Sequence, residues 1–339
     1  MARVLILGGT RNLGHSAALS LLEAGHNVAI LNRGLTPDDL PRRIERIRGD
    51  RSDDRSMRAA IGSRSFDLVL DNTTYTEREA RQAVGLFDGK VGRYVFVSSG
   101  QVYLVRENIS RPFREDAYDG PVMAEPGQSS TDHAAWLYGI DKRLAEQVFM
   151  DAGQVLDFPF TTLRLPMVAS ERDHYGRIQA YVARLLDGEP IILPDEKGLP
   201  LRHVYVADVA RLVTQLVASK DGIGESFNVS CGESLALAEF LDLLSKAAGA
   251  RLSIVRAKRK ELEALGLLPD CSPFSGRWMS ELDASLAESA FGFTFTPPSR
   301  YLPSIVADYR DRWANNAMVP DSYRQREAEL GFLRSTRRR

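Results

Sequence analysis

Val4-Leu5-Ile6-Leu7 is a run of four apolar residues that stops at Gly8-Gly9. An unbroken apolar run of that length, without polar alternation, predicts a strand buried on both faces. From Leu13 to Ala24 apolar residues return with helical spacing, and Gly25 supplies a stop. Short apolar runs recur at Val28–Leu31, Phe66–Leu70 and Tyr94–Val97, and helical spacing recurs over Glu77–Phe87. Strand and helix alternate through the first hundred residues, a rhythm that predicts a parallel sheet with crossover helices.

The rhythm breaks at Ser99. A polar stretch rich in Pro, Gly, Asp and Ser runs to about His133, before a predicted helix over Trp136–Met150 and a strand over Phe160–Leu165. Connections of such length inside a compact domain are usually functional or mobile. Beyond Pro166 the order is less regular: helix Ile178–Leu186, strand Leu201–Val206, helix Val209–Ala218, then helices over Leu235–Ala247 and Ser280–Ala290. No internal repeat is present. Four of the last six residues are arginine (Arg334, Arg337, Arg338, Arg339), which we read as a solvated, frayed tail.

Composition narrows the class only a little. The 339 residues leave room for one large α/β domain or two lobes. Lys plus Arg total 44 against 45 for Asp plus Glu, so the net charge of −1 exerts no global pull toward nucleic acid or anionic membrane. A 44% hydrophobic and 26% charged content excludes extensive disorder. Cys231 and Cys271 match no metal or redox spacing; they exclude a disulfide scaffold and suit a reducing compartment. No apolar run approaches the roughly 18 residues of a membrane helix, and the N-terminus lacks the regions of a signal peptide. A cytoplasmic chain with no metal and no membrane partner is expected.

Gly8-Gly9-Thr10-Arg11-Asn12-Leu13-Gly14 lies between the first strand and the first helix. A dinucleotide pyrophosphate requires close backbone approach and a helix N-terminus whose N–H groups face the anion. Gly8 and Gly9 allow the approach, and Gly14 lets helix and strand pack closely. Glycine turns also serve purely steric ends; the position opening a βαβ unit is what gives this one weight. The segment resembles the nucleotide loop of the extended short-chain dehydrogenases/reductases, the NAD-dependent epimerase/dehydratase family. Arg11 stands where that family usually has glycine. It makes the loop similar to a Gly-Gly-Thr-Arg subgroup that includes isoflavone-reductase-like proteins and chloroplast RNA-associated relatives. The cofactor contacts implied by the resemblance are the whole loop from Gly8 to Gly14, together with Asn32, Arg33, Asp50, Arg51, Asn72 and Pro166.

A carboxylate after the second strand would bind the adenosine ribose hydroxyls and repel an extra phosphate. That place holds Asn32 and Arg33. Arg11 and Arg33 are placed to flank a 2′-phosphate with forked hydrogen bonds, so NADP is the expected cofactor, with NAD as the alternative. The competing reading leaves both arginines as solvated surface residues. Asp50 matches the family position that hydrogen-bonds the adenine amino group, with a plain loop aspartate as the alternative.

Tyr138 and Lys142, four residues apart in Tyr-Gly-Ile-Asp-Lys, share one face of a predicted helix. A phenol that exchanges a proton near neutral pH needs its pKa brought down from about 10, and a neighbouring ammonium does so. Leu144-Ala145-Glu146 extends the match to the family's helix. Ser99, in Val-Ser-Ser-Gly-Gln-Val-Tyr at the end of a predicted strand, holds the family's Ser/Thr position. The resemblance implies Ser99 as hydrogen-bond donor to the reacting oxygen, Tyr138 as acid/base, and Lys142 as the group that holds the nicotinamide ribose and lowers the Tyr pKa. Gly100 and Gln101 follow Ser99 where sugar 4,6-dehydratases of the family carry acids, and neither is a base. Related epimerase-reductases carry Cys at the position of Gln101 and a His elsewhere, a pair not evident here. Dehydration and 3,5-epimerisation are therefore both disfavoured, leaving 4-epimerisation or net reduction or oxidation.

Ser99 and Tyr138 are separated by 39 positions that contain Arg106, Arg111 and Arg114. They are candidates for an anionic substrate group, against a solvated loop balanced by Glu107, Glu115 and Asp116. Gln101 and Arg202 are further substrate candidates. Leu201-Arg202-His203-Val204-Tyr205-Val206-Ala207-Asp208 resembles a family segment whose arginine contacts a diphosphate, but Leu201 occupies the matching position and Arg202 points the opposite way on a strand. Asp208 is expected to cap the following helix. The fold class expected is a Rossmann-like, doubly wound parallel sheet over residues 1–166. A smaller α/β substrate-binding region spans 167–330, partly interleaved with it, and the basic tail spans 331–339. The function expected is an NAD(P)-dependent oxidoreductase or epimerase with a nucleotide-sugar or similar polar small-molecule substrate, and the family resemblance implies a homodimer through the helices at 77–87 and 136–150. The alternative is a non-catalytic dinucleotide sensor or RNA-associated protein. Retention of Tyr138 and Lys142 and the charge balance argue against it, apart from the tail and the basic run Arg256–Lys260.

Overall fold

The computed structural model describes residues 1–314 and 319–336. The chain begins β1 (Arg3–Leu7), α1 (Asn12–Glu23), β2 (Asn27–Asn32), β3 (Glu45–Arg48), α2 (Asp54–Ile61), β4 (Phe66–Asp71), α3 (Glu77–Phe87) and β5 (Val91–Ser99). It continues α4 (Gln101–Leu104), α5 (His133–Leu156), β6 (Phe160–Leu165), β7 (Val168–Ala169), α6 (Arg177–Leu186), β8 (Ile191–Pro194), β9 (Val204–Tyr205) and α7 (Val206–Leu216). The remainder is β10 (Glu225–Asn228), α8 (Leu237–Ala248), β11 (Ile254–Ala257), α9 (Arg259–Ala264), α10 (Ser285–Phe291), α11 (Pro298–Asp308) and α12 (Arg326–Thr336). No helix among the described residues is long and apolar enough to cross a membrane.

Two compact units divide these elements. The first comprises Met1–Pro166, Val206–Ser230 and Leu282–Phe295; the second comprises Met167–Tyr205, Cys231–Glu281 and Thr296–Arg339. In the first unit seven parallel strands form one sheet in the order β10-β6-β5-β4-β1-β2-β3. The apolar run Val4–Leu7 becomes the central strand and is at most 1% exposed. One sheet face, with Leu5, Val69, Tyr94 and Phe96, is covered by Ala80, Ala83 and Phe87 of α3 and Ala145 and Phe149 of α5. The chain leaves β1 toward β2 on one side and returns as β4 on the other. The carboxyl ends of β1 and β4 therefore form the switch point at which ligands bind in such sheets.

Short elements escaped the periodicity. β3 buries Ile47 among charged neighbours, and α2 buries only Met57 and Ile61 behind an Asp53 cap. The polar stretch after Ser99 is anchored: it contains α4 and a 3-10 turn, and Val102, Tyr103, Phe113 and Tyr118 pack together with Leu282. The strand expected over Leu201–Val206 shrinks to β9, because Val206 already begins α7, whose Val206, Val209, Ala210 and Val213 are buried at helical spacing. Asp208 consequently lies inside the first turn of α7 rather than capping it, and accepts from Arg211 Nη2 at 2.7 Å. The helix expected over Ser280–Ala290 starts only at Ser285, since Leu282 bridges to Phe113 in extended form.

The second unit contains two small parallel pairs, β8 with β11 and β7 with β9. Its core gathers Tyr181, Leu185, Phe240, Leu241, Phe274, Tyr301 and Leu302. The chain end, expected to fray from residue 331, is helical through Thr336 because Phe332 and Leu333 are buried with Ile192, Leu262 and Cys271. Arg184, fully buried, pairs with the equally buried Glu329 of α12 at 2.5 Å. Arg334 is on α12; Arg337, Arg338 and Arg339 lie outside the described residues.

Candidate active site

Leu7 ends β1, and Gly8 and Gly9 follow at φ +103° and +101°, backbone that side chains rarely adopt. A Cβ on Gly9 would stand 2.5 Å from Ile30 Cγ2, and one on Gly14 would stand 2.6 Å from Gly9 N. The first turn of α1 therefore rests against the glycine backbone. Asn72, just past β4, ties the pieces together. In the amide orientation that satisfies both groups it donates to Leu7 O at 2.5 Å and accepts from Gly14 N at 3.2 Å. Thr10 is half-buried and Leu13 is buried beneath α1. Arg11 is exposed, gives α1 no side-chain cap, and meets Thr36 Oγ1 at 3.4 Å. Asn12 adopts φ +40°, and its Oδ1 is buried without a protein partner.

Beside this turn a cleft of about 260 Å³ is lined by Gly8, Asn32, Arg33, Asp50, Thr73 and Tyr75, among others. Asn32 Oδ1 accepts from Gly34 N at 2.8 Å and Arg48 Nη1 at 2.7 Å, while its Nδ2 is buried without a partner. Arg33 is exposed. Asp50 Oδ1 accepts from Ser52 Oγ (2.7 Å) and Ser52 N (2.9 Å), and these bonds hold its carboxyl below the ordinary value. A glycine cradle that no Cβ fits, a helix start without a side-chain cap and buried polar atoms lacking protein partners are what a dinucleotide requires. The residues present fit that group.

Arg51, expected at the cofactor, also lines this cleft, and its guanidinium is held by the protein. Its guanidinium pairs with Asp71 Oδ2 at 2.8 Å and also bonds Thr73 Oγ1, Thr74 Oγ1 and Glu79 O. Asp71, fully buried at the end of β4, accepts as well from Tyr94 Oη and from Thr73 N and Thr74 N. Burial raises its carboxyl, but Arg51 and these donors outweigh burial and leave it below the ordinary value. The result fixes the Thr73–Thr74 turn, and Thr74 O in turn accepts from Lys142 Nζ at 2.6 Å.

Lys142 Nζ also donates to Val97 O at 2.9 Å, two residues before Ser99 on β5. Its ammonium lies 5.9 Å from the Tyr138 ring centre, 5.0 Å from Tyr75 and 4.8 Å from Phe96. Burial pushes its pKa down to about 8. Tyr138, half-buried one turn earlier on α5, faces Tyr75 with ring centres 6.3 Å apart. The helix begins at His133, so Tyr138 sits well inside it rather than at its opening. Ser99 Oγ, at the end of β5, accepts from Gln101 N at 3.2 Å. Behind Ser99, Ser98 Oγ donates to Glu146 Oε1, and Glu146 Oε2 accepts Arg164 Nη2 at 2.7 Å. Arg164 Nη1 then donates to Tyr103 Oη (2.7 Å), which donates to Asn228 Oδ1 at 2.9 Å. Gly100 N donates to Leu165 O at 2.7 Å, which sets the buried Pro166 next to the Ser99 turn.

The substrate candidates fare unevenly. Gln101 lies on α4, where its Nε2 donates to Ala135 O at 3.2 Å. Arg106 is occupied with Ala117 O (2.7 Å) and Pro121 O (3.1 Å), so it braces its own loop. Arg111 lies over the Phe113 ring at 4.8 Å, and Arg114 is near Asp116 and Asp283. In the second unit Leu201 is buried, and Arg202 Nε donates to Ser234 Oγ at 2.9 Å. Asp71, Thr74 and Arg48 did not stand out in the sequence. The one legible signal was an aspartate closing the apolar run of β4.

A glycine turn at the switch point of a parallel seven-stranded sheet, with a buried lysine one helical turn after a tyrosine, defines a Rossmann-like α/β fold. Residues 71–230 match the NAD dependent epimerase/dehydratase family. It is 24% identical over 244 residues to the Chloroplast stem-loop binding protein of 41 kDa b of Arabidopsis thaliana, covering 67% of this chain but only 58% of that protein. It is also 24% identical over 294 residues to 2′-dehydrokanamycin reductase of Streptomyces kanamyceticus, covering 84% of this chain and 78% of that one. Its fold matches UDP-glucuronic acid 4-epimerase from Bacillus cereus in complex with UDP-glucuronic acid and NAD. The TM-score is 0.69 at 16% identity, over 91% of this chain and 99% of the other.

Proposed function

We propose that this protein is an NADP(H)-dependent oxidoreductase or epimerase acting at a secondary alcohol or carbonyl of a nucleotide-sugar or similar polar small molecule. The observation that carries the reading is Lys142: a buried ammonium held by the carbonyls of Thr74 and Val97, beside Tyr138 and at the strand end that bears Ser99. Bound nicotinamide would supply or accept the hydride. Tyr138 exchanges the hydroxyl proton at its Oη, and the Lys142 charge favours the phenolate. Ser99 Oγ donates to the reacting oxygen. The glycine turn holds the pyrophosphate, and Arg11 and Arg33 favour the 2′-phosphorylated cofactor. The absence of an acid at Gly100 and Gln101 speaks against 4,6-dehydration. Leu137, Leu144 and Val155 are exposed at helical spacing along α5 and support a homodimer that uses α5.

Tyr138→Phe tests the reading. Turnover of the carbonyl substrate should fall by at least about a hundredfold, the usual scale of general acid–base catalysis, with NADPH affinity within about twofold of wild type. Full activity in this variant would overturn the proposed role. The name of the chloroplast relative favours a second reading, stem-loop RNA binding. A filter-binding titration at low salt that detected tight RNA binding, together with an inert Tyr138→Phe phenotype, would support it instead.

A further inference from the structure

The end of β2 lacks a side-chain acceptor for a sugar hydroxyl. Asn32 stands there, and its Oδ1 already accepts from Arg48 Nη1 at 2.7 Å and Gly34 N at 2.8 Å. The remaining Nδ2 is purely a donor and has no protein acceptor. Arg48 is the last residue of the edge strand β3, in register with Asn32. Gly34 admits it: a Cβ at that position would lie 2.6 Å from Arg48 Cζ. Arg33 beside Asn32 is exposed, whereas two other guanidiniums nearby are engaged. Arg46 is bonded to Asp38 and to the carbonyls of Leu40, Pro41 and Ile44, and Arg51 to Asp71. Arg48 instead hydrogen-bonds a neutral amide, and the nearby Asp38 carboxylate, which Arg46 pairs, acts on it only through charge.

We infer that Arg48, together with Asn32 Nδ2, recognises a phosphate monoester on the adenosine ribose and sets the choice between phosphorylated and unphosphorylated dinucleotide. The inference rests on the NADP(H) reading above and adds a residue outside the loop motif to it. A ribose 2′-hydroxyl seeks an acceptor and finds the Asn32 oxygen occupied. A phosphate monoester is acceptor-only and largely dianionic near neutral pH, so amide and guanidinium donors suit it. Arg48 adds what Lys does not, a planar fork matched to phosphate oxygens.

The test is a fluorescence titration of wild type, Arg48→Ala and Arg48→Lys with NADPH and NADH. Competition with 2′,5′-ADP, 5′-AMP and inorganic phosphate, and thermal melts as folding controls, complete it. Wild type should bind NADPH at least about tenfold more tightly than NADH. Arg48→Ala should weaken NADPH and 2′,5′-ADP by about tenfold or more, the scale of a charged hydrogen bond, and leave NADH and 5′-AMP within twofold. Arg48→Lys should fall between, and it decides the question if the alanine variant does not fold. Equal weakening of NADPH and NADH, or unchanged affinities with NADPH preference retained, overturns the role of Arg48 and leaves the NADP(H) reading standing. Wild type that prefers NADH overturns both. Inorganic phosphate competing as well as 2′,5′-ADP overturns the assignment to a ribose phosphate.

Discussion

Replacing Glu146 by Gln removes the charge that balances Arg164 inside the first unit. Their side chains are 0% and 3% exposed, so neither ion has water to fall back on. Arg164 reaches Glu146 through Nε at 3.0 Å and Nη2 at 2.7 Å, donates to the Tyr103 hydroxyl at 2.7 Å, and lies 4.2 Å from the centre of the Tyr118 ring. Glutamine preserves the shape and one acceptor, but leaves a guanidinium buried without a counter-charge. Breaking a buried pair from one side costs about 3–5 kcal/mol, a large share of the roughly 5–15 kcal/mol that holds a typical protein folded. Equilibrium urea unfolding of wild type and variant, with unchanged m-values, gives the difference directly. The control is Glu146→Leu combined with Arg164→Met, which removes both charges and should recover at least about half of the loss. A single variant that costs less than about 1 kcal/mol, or a double variant worse than the single, would refute the argument that the uncompensated charge dominates. Because Ser98 also donates to Glu146, the single variant should loosen the end of β5 and lower activity by more than it lowers cofactor affinity.

Two further perturbations test the site. Burial lowers the Lys142 pKa from 10.5 to about 8, so turnover that needs the ammonium should decline with an apparent pKa near 8 as pH rises. The stability effect has the opposite sign. Between about pH 8 and 10.5 the unfolded chain binds more protons at this residue, so its contribution to stability rises across that window. Lys142→Met should flatten this rise in urea unfolding measured at pH 7.5 and 9.5, and identical pH dependence in the two proteins would sink the assignment. Gly14→Ala drives a methyl to 2.6 Å from Gly9 N and 2.7 Å from Gly9 Cα, backbone atoms that have little freedom to move. It should cost about 1–3 kcal/mol of stability and weaken NADPH at least tenfold; unaltered binding by calorimetry would argue against the cradle.

Some of this was legible before any coordinates. Glu77–Phe87 matches its helix to the residue because its apolar spacing is clean and Thr76 and Glu79 form a capping box that starts it sharply. Phe160–Leu165 likewise matches, being a short run buried along its whole length. The glycine turn and the Tyr138–Lys142 spacing are local patterns, so they survive in one dimension. β3, α2 and β10 did not, since each buries too few residues to stand above its charged neighbours. Val206 looked like strand because a β-branched residue beside Val204 and Tyr205 suits either state; packing of α7 against α1 decided for helix.

The site divides along the same line. Local chemistry determined which residues carry the reactive groups: a glycine turn where a strand meets a helix, a serine at a strand end, and a tyrosine and lysine on one helix face. Tertiary structure alone decided the electrostatics around them. Asp71 meets Arg51 20 positions earlier in the chain, Lys142 meets Thr74, Arg164 of β6 meets Glu146 of α5, and Arg48 meets Asn32 from the next strand. Each pairing joins residues whose separation along the chain carries no periodic signal. Which arginine is neutralised, and which keeps its charge for a ligand, therefore follows from strand order and burial rather than from the spacing of residues.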